Sequence, residues 1–211
     1  MENKAGAPSS AQPGLQPAGL VYRPPLRGAP GGRVGGGSRG GGAVSVTALV
    51  PEGRALTSLE QPSVSWYLSS PTPAPVEVTI SDDRAVKPLL EVRLPQPVQP
   101  GVQRIRLADY GVKLEPGVQY KWFVTVVVDP ARRSRDVLAG GTIERVEPNA
   151  ELSARLASAR PETLPMIYAE AGLWYDALGA IADLLDQSPN DQTVREGRAQ
   201  LLSQAGLPKV E

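Results

Sequence analysis

Hydrophobic and polar residues alternate along the middle of the chain in short runs separated by turn residues. Between Ala43 and Val146 the runs are AVSVTALV, SVSWYL, VEVTISD, LLEVRL, VQRIRLA, YKWFVTVVV and VLAGGTIERV. β-Branched and aromatic residues dominate these runs, and no helical period falls between one run and the next. This spacing predicts seven short strands, packed as an antiparallel β-sandwich.

The pattern changes to a helical period after residue 148. A first helix is predicted to begin at Asn149, because Asn is a favoured N-cap residue. A longer helical stretch covers residues 164–187 and is interrupted at Gly172, and a last helix covers residues 191–204. The C-terminal part is therefore expected to contain three helices.

These patterns predict an α+β fold in three parts. An immunoglobulin-like antiparallel β-sandwich is expected over residues 43–148. A small helical region, similar to a tetratricopeptide unit, follows over residues 149–211. Residues 1–42 precede both as a Pro- and Gly-rich arm.

The arm has too few apolar residues to offset the entropy of ordering it as an independent core. Residues 1–25 are therefore expected to stay mobile, or to become ordered only against another subunit. Residues 28–42 form a Gly-Arg segment. We expect this segment to dock on the domain surface, with Arg33 or Arg39 meeting an acidic residue or backbone carbonyls.

A turn before one strand carries the sharpest local motif in the β-rich part. In LEPGVQYKWFV, Tyr120 follows the turn at Pro116 and Gly117. This resembles the tyrosine corner of immunoglobulin-like and fibronectin type III domains, in which the Tyr hydroxyl returns to the backbone of the turn. The alternative is an ordinary Pro-Gly turn before an aromatic strand. Trp66, Tyr120 and Trp122 are predicted to be core residues.

The segment YAEAGLWYDALGAIADLLDQSPND resembles one tetratricopeptide unit. Gly172 would be the small turn residue, Tyr175 the aromatic residue, Ala177 the alanine of the second helix and Pro189 the closing proline. One such unit does not bury its own faces. It is expected to pack on the sandwich, or else on a partner with Trp174 and Tyr175 as anchors.

Taken in order, four segments resemble a bacterial family, the domain of unknown function 928. They are GAPGGRVGGGSRGG, TALVPE, YKWFVTVVVDPARRSRDVLAGGTIERVEP and YAEAGLWYDAL, and the resemblance covers roughly residues 26–207. Family members often carry Cys after the Gly-Arg segment, whereas residues 41–44 here contain none. The resemblance implies this fold and architecture without implying a reaction, because the activity of the family is not established.

The composition limits the catalytic and metal-binding chemistry that the chain can carry out, because the chain contains no histidine and no cysteine. These residues supply most general bases, activated nucleophiles and transition-metal ligands near neutral pH. No spacing of carboxylates, Lys, Tyr or Ser assembles a convincing catalytic set in their place. We therefore predict a module that is not an enzyme and has no catalytic residue, cofactor or metal site.

The charge balance and hydropathy limit the partners. Lys plus Arg and Asp plus Glu are equal at 22 each, so no nucleic-acid partner is predicted. No apolar run is long enough for a transmembrane helix. The first residues do not form a signal peptide as written, although an exported, envelope or extracellular location is favoured. The predicted partner is another protein or a second copy, through the arm and the edge offered by YKWFVTVVV.

Two alternatives stay open. The protein could bind a glycan or an anionic polymer through the loop DPARRSRD, which is otherwise a solvated hairpin loop and contains Arg132, Arg133 and Arg135. A carboxylate-based glycan hydrolase is less favoured, since it would need two carboxylates about 10 Å apart or closer across a cleft. The carboxylates to inspect for it are Asp109, Glu115, Asp129 and Asp136.

Overall fold

The computed structural model describes residues 19–25, 33–35, 44–82 and 87–210. Within these residues the strands are β1 (Val34–Gly35), β2 (Val46–Ala48), β3 (Leu56–Thr57), β4 (Ser63–Leu68), β5 (Val76–Asp82), β6 (Leu90–Arg93), β7 (Gly101–Arg106), β8 (Gln119–Val126) and β9 (Val137–Arg145). The helices are α1 (Ala150–Ser158), α2 (Leu164–Glu170), α3 (Trp174–Gln187) and α4 (Gln192–Gln204).

The strands form two sheets in a sandwich-like arrangement. The larger sheet has the order β1-β9-β8-β5-β6, and the smaller sheet has the order β2-β4-β7. Neighbouring strands are antiparallel, except that β3 pairs in parallel with one end of β9. The seven predicted strands correspond to β2 and β4 to β9, and the α+β class is confirmed. The two-residue strands β1 and β3 were not predicted, because two residues carry no periodicity.

Alternation along the central strands places the large apolar side chains in the interior. Trp66 of β4 and Trp122 of β8 are fully buried, and Tyr120 is 3% exposed. The prediction that these three residues belong to the core is confirmed. The segment YKWFVTVVV does not offer an edge to a partner, because β8 lies between β5 and β9 and pairs with both along its length.

The turn before β8 has the geometry that its motif predicted. The backbone N–H of Glu115 donates a hydrogen bond to the hydroxyl of Tyr120, with an N–O distance of 3.0 Å. Gly117 adopts φ +72°, a conformation that L side chains rarely take. The hydroxyl of Tyr120 therefore fixes the entry into the central strand of the larger sheet.

The C-terminal region contains four helices rather than the three predicted. Gly172 adopts φ +76° and separates α2 from α3, so that the interrupted stretch forms two helices. Asn149 caps α1 as predicted, and Asp191 caps α4 by accepting hydrogen bonds from the backbone. Among the described residues, no helix combines the length and the apolar character needed to cross a membrane.

The helices pack on the sandwich of their own chain, and the hydrophobic core is continuous between them. Ala177 and Ile181 of α3 are fully buried. On the side of the smaller sheet, Arg104 of β7 donates to the backbone carbonyl of Gly179 at 3.3 Å and forms an ion pair with Asp183 at 2.7 Å. Helix α3 is therefore the element that joins the two parts.

We predict that Tyr120→Phe lowers the free energy of unfolding by about 1–2 kcal/mol, because it removes the acceptor of the Glu115 N–H group. Urea unfolding followed by circular dichroism measures this difference. Tyr110→Phe is the matched control, since Tyr110 is 41% exposed. Equal stabilities of the two variants would contradict the role of the Tyr120 hydroxyl.

Candidate protein-interaction site

Helix α3 begins with two aromatic residues whose polar atoms bind the sandwich. The indole N–H of Trp174 donates to the carbonyl oxygen of Leu49 at 2.9 Å. The hydroxyl of Tyr175 donates to the carbonyl oxygen of Thr142 at 2.7 Å and accepts the indole N–H of Trp122 at 2.8 Å. These hydrogen bonds fix the position of α3 while its first turn is buried.

The next residue, Asp176, is a buried carboxylate with only 1% exposure. The backbone N–H and the hydroxyl of Ser58 each donate to Oδ2 at 2.6 Å, and the hydroxyl of Thr57 donates to Oδ1. Burial raises the pKa of Asp176 to about 6, and these hydrogen bonds only partly offset the effect. The carboxylate therefore holds the segment that follows β3 against the start of α3.

The structure places Trp174 and Tyr175 in the interior, at 0% and 2% exposure. They had been expected to serve as anchors for a partner if the helices packed on one. Instead, their rings lie between the helices and the sandwich of the same chain, because a small helical unit buries its apolar face on the nearest apolar surface. Tyr175 is therefore enclosed by its own chain, whereas the ring of Trp174 is covered by Tyr22 from the N-terminal part of the chain.

A short N-terminal segment, residues 19–25, lies on the helices, and we call it the arm segment. Leu20 and Tyr22 are buried, whereas Val21 and Arg23 are exposed, which is the alternation of an extended chain. Residues 1–25 were predicted to stay mobile or to become ordered only against another subunit, whereas in this structure residues 19–25 lie on the helices of their own chain. The reason is that contacts with α2, α3 and α4 provide the burial that the arm does not provide itself. Residues 1–18 lie outside the described part of the chain.

Polar groups of the helices bind the backbone of the arm segment. The side-chain amide of Gln204 accepts the N–H of Tyr22 at 2.8 Å and donates to the carbonyl oxygen of Leu20 at 3.0 Å. The N–H of Arg23 donates to the carbonyl oxygen of Ala169 at 3.0 Å. The backbone of the segment is thus bound on both sides of Tyr22. We call this surface the helical groove, and its residues are Met166, Ala169, Gly172, Trp174 and Gln204.

The side chain of Tyr22 is buried in the helical groove, at 7% exposure. Its ring meets Trp174 edge-to-face, with centroids 5.0 Å apart and planes at 72°. Its hydroxyl is buried without a hydrogen-bond partner, and burial raises the pKa of Tyr22 to about 12. Gly172 provides the space for the backbone, since a Cβ atom there would lie 2.6 Å from the carbonyl oxygen of Arg23.

The described part of the Gly-Arg segment is docked on the larger sheet. Val34 pairs with Gly140 and Gly35 pairs with Ala139, which adds β1 to the outer side of β9. Arg33, next to this strand, forms an ion pair with Glu52 at 3.1 Å. Arg39 lies outside the described residues.

The loop between β8 and β9 carries three exposed arginines, which are Arg132, Arg133 and Arg135. Arg132 pairs with Asp129 at 2.6 Å. Arg133 pairs with Glu77 and with Asp136, each at 2.7 Å. These arginines lower the pKa of Asp129 and of Glu77. Much of the positive charge of the loop is therefore neutralised within the chain.

Of the four carboxylates considered for a hydrolase, three lie in loops and Asp109 lies in a short 3-10 helix, Leu107–Tyr110. Asp129 and Asp136 are held by the loop arginines, and Asp109 and Glu115 are exposed residues elsewhere on the sandwich. Across the described ranges, no group of three or more acidic residues could hold a metal ion.

Several clefts border the helices in the described part of the chain, and two of them lie beside α3 and α4. A cleft of about 450 Å³ runs along α4 and is lined by Gln204, Gln200 and Ser203, so that open space adjoins the helical groove. A cleft of about 180 Å³ lies between the sandwich and α3. Its charged residues Arg106 and Asp183 already form an ion pair at 3.1 Å. The larger cleft therefore extends the surface to which the arm segment binds.

The fold is a two-sheet sandwich that carries a helical layer. The model of a family described as Domain of Unknown Function (DUF928) matches residues 34–211, and the chain belongs to this family. The earlier resemblance is thereby confirmed. No curated protein matches the chain. The helical groove lies inside the matched region, whereas the arm segment precedes it.

Trp174 was named from the sequence as an anchor for a partner, whereas Gln204 of the groove and its occupants Leu20 and Tyr22 were not identified. Leu20 and Tyr22 belong to LVY, an apolar triplet within a Pro-rich arm, and this triplet is the signal that could have identified the arm segment. Nothing in the sequence of α4 distinguishes Gln204 from its polar neighbours. Its role depends on the position of the arm, which local periodicity does not determine.

We predict that the stability difference between the wild type and Asp176→Asn depends on pH. The folded pKa of about 6 lies above the ordinary value of 3.8, so Asp176 binds its proton more tightly in the folded state. Its contribution to stability is fully present below about pH 4 and is lost as the pH rises through 6. The wild type should therefore lose about 2 kcal/mol relative to Asp176→Asn between pH 4 and pH 7.

Urea unfolding of both proteins at several pH values measures this difference. Subtracting the two curves removes the contributions of the other carboxylates. Asp109→Asn, at an exposed position, controls for the loss of one carboxylate. A difference that stays constant across this pH range would contradict the raised pKa of Asp176.

Proposed function

We propose that the protein is a non-enzymatic protein-interaction module whose helical groove binds an extended peptide segment. The observation that supports this most directly is the arm segment, which occupies the groove as an extended chain. In this segment an apolar residue, an exposed residue and an aromatic residue follow one another, and this pattern supports a groove that accepts such a sequence.

The contacts divide into two kinds with different roles. The main chain of the segment forms hydrogen bonds with the side-chain amide of Gln204 and donates one to the carbonyl oxygen of Ala169, and such bonds supply affinity for any extended segment. The buried positions of Leu20 and Tyr22 supply selectivity, since burying one large apolar side chain contributes about 1.5–3 kcal/mol. The groove should therefore prefer segments with Leu and Tyr two residues apart.

A role in binding also agrees with the polar groups of the interior. Asp176 has a raised pKa, as many catalytic carboxylates have. Its oxygens, however, already accept hydrogen bonds from Thr57 and Ser58, which gives it a structural role. Glycan or polymer binding by the arginine loop has less support, because Arg132 and Arg133 pair with carboxylates. An exported location stays a prediction.

We predict that a peptide of residues 17–27 binds a full-length chain whose own arm is disabled by Leu20→Ala and Tyr22→Ala. Fluorescence anisotropy of the labelled peptide should show saturable binding. Tyr22→Ala in the peptide should weaken binding at least about tenfold, which corresponds to about 1.4 kcal/mol. Val21→Ala should leave the affinity within about twofold, because Val21 is 48% exposed.

Tyr22→Phe in the peptide is a further control. It should bind at least as tightly as the native peptide, because the hydroxyl of Tyr22 is buried without a partner. Circular dichroism establishes that the arm-disabled chain is folded. If that folded chain does not bind the native peptide, the groove is not a peptide site and the proposal is wrong.

A further inference from the structure

We propose that the arm segment of one copy occupies the helical groove of a second copy, so that two chains exchange their arms and form a dimer. This inference rests on the proposed function, because it names the partner of the same groove. Exchange of an identical segment preserves every contact inside the groove, and a symmetric pair satisfies both grooves at once.

The arm segment is held by contacts that it can make equally in another copy. The segment forms three main-chain hydrogen bonds with Gln204 and Ala169, and it buries two side chains, Leu20 and Tyr22. The buried hydroxyl of Tyr22 has no partner, and a buried polar group without a hydrogen bond opposes binding. This imperfect fit keeps the segment exchangeable.

The order of segments along the chain allows the exchange without unfolding the domain. The matched family region begins at Val34, in β1, so the sheets and helices follow the arm segment in sequence. Between Pro25 and Arg33 lie residues 26–32, and a chain of that length reaches at most about 28 Å. A linker of this length allows the arm segment to leave its own groove while β1 stays paired with β9.

Charge and surface shape favour the approach of a second copy. The chain carries 22 basic and 22 acidic residues, so no net repulsion separates two copies. The cleft of about 450 Å³ beside Gln204 leaves open space next to the groove. An arm arriving from outside can therefore reach the side-chain amide that binds its backbone.

Cysteine cross-linking tests the exchange directly, because the chain contains no cysteine of its own. A Cβ atom at Gly19 would lie 3.2 Å from the sulfur of Met166. We would co-produce a Gly19→Cys chain and a Met166→Cys chain with different tags and treat them with a short bismaleimide. A link between these two chains forms only if the arm of one lies in the groove of the other.

The expected product carries both tags and has twice the 22.3 kDa mass of one chain on a denaturing gel. Gly53→Cys paired with Met166→Cys is the matched control and should give no such product, since a Cβ atom at Gly53 has no atom of Met166 within 4 Å. In gel filtration the wild type should elute at the dimer mass. The Leu20→Ala, Tyr22→Ala chain should elute at the monomer mass.

A double variant that carries both Gly19→Cys and Met166→Cys distinguishes two negative results. In one, the arm segment occupies only the groove of its own chain; in the other, it occupies no groove. If the link in this variant closes within one chain and the mixed product is absent, arm exchange is wrong while peptide binding by the groove stands. If neither link forms, the arm segment does not occupy the groove and exchange is wrong as well. Failure of the peptide itself to bind the folded arm-disabled chain would overturn the proposed function.

Discussion

The fold depends on the burial of three consecutive residues at the start of α3. A helical layer of this size has too little interior of its own, so it must share the core of the sandwich. Trp174, Tyr175 and Asp176 make this sharing stable, because their buried polar atoms all find partners on the sandwich. Trp174 also contacts the arm segment, since its N–H donates to the carbonyl oxygen of Leu49 while its ring packs against Tyr22. One side chain therefore connects the sandwich, the helices and the arm segment.

The same region also protects the outer side of β9. A long strand at the side of a sheet presents unpaired backbone groups to other chains. Here β1 pairs near the middle of β9, β3 pairs at its end, and the hydroxyl of Tyr175 binds the carbonyl of Thr142 between them. Segments from the arm, the sandwich and the helices thus share the protection of one strand. The Gly-Arg segment contributes a strand although its composition has no β pattern.

Periodicity was sufficient where a segment is long and its partners are local. The seven strands, the Asn149 cap and the Tyr120 hydrogen bond all follow from neighbouring residues. It was insufficient where the partner lies far away in sequence. Tyr22 meets Gln204 across 182 positions, and no local pattern encodes that contact. For the same reason, the sequence named Trp174 as an anchor without showing that the N-terminal arm of the same chain would pack on its ring.

Gly172 has a consequence for how members of this family are compared. This one position meets two separate demands, the left-handed turn between α2 and α3 and the close passage of the Arg23 carbonyl. The first demand concerns the domain alone, whereas the second exists only when a chain lies in the groove. Asparagine tolerates the left-handed conformation but brings a Cβ atom with it. A relative with asparagine at this position would keep the turn but would not accept an extended chain in the groove. The residue at this position therefore distinguishes family members whose groove can bind such a chain from members whose groove cannot.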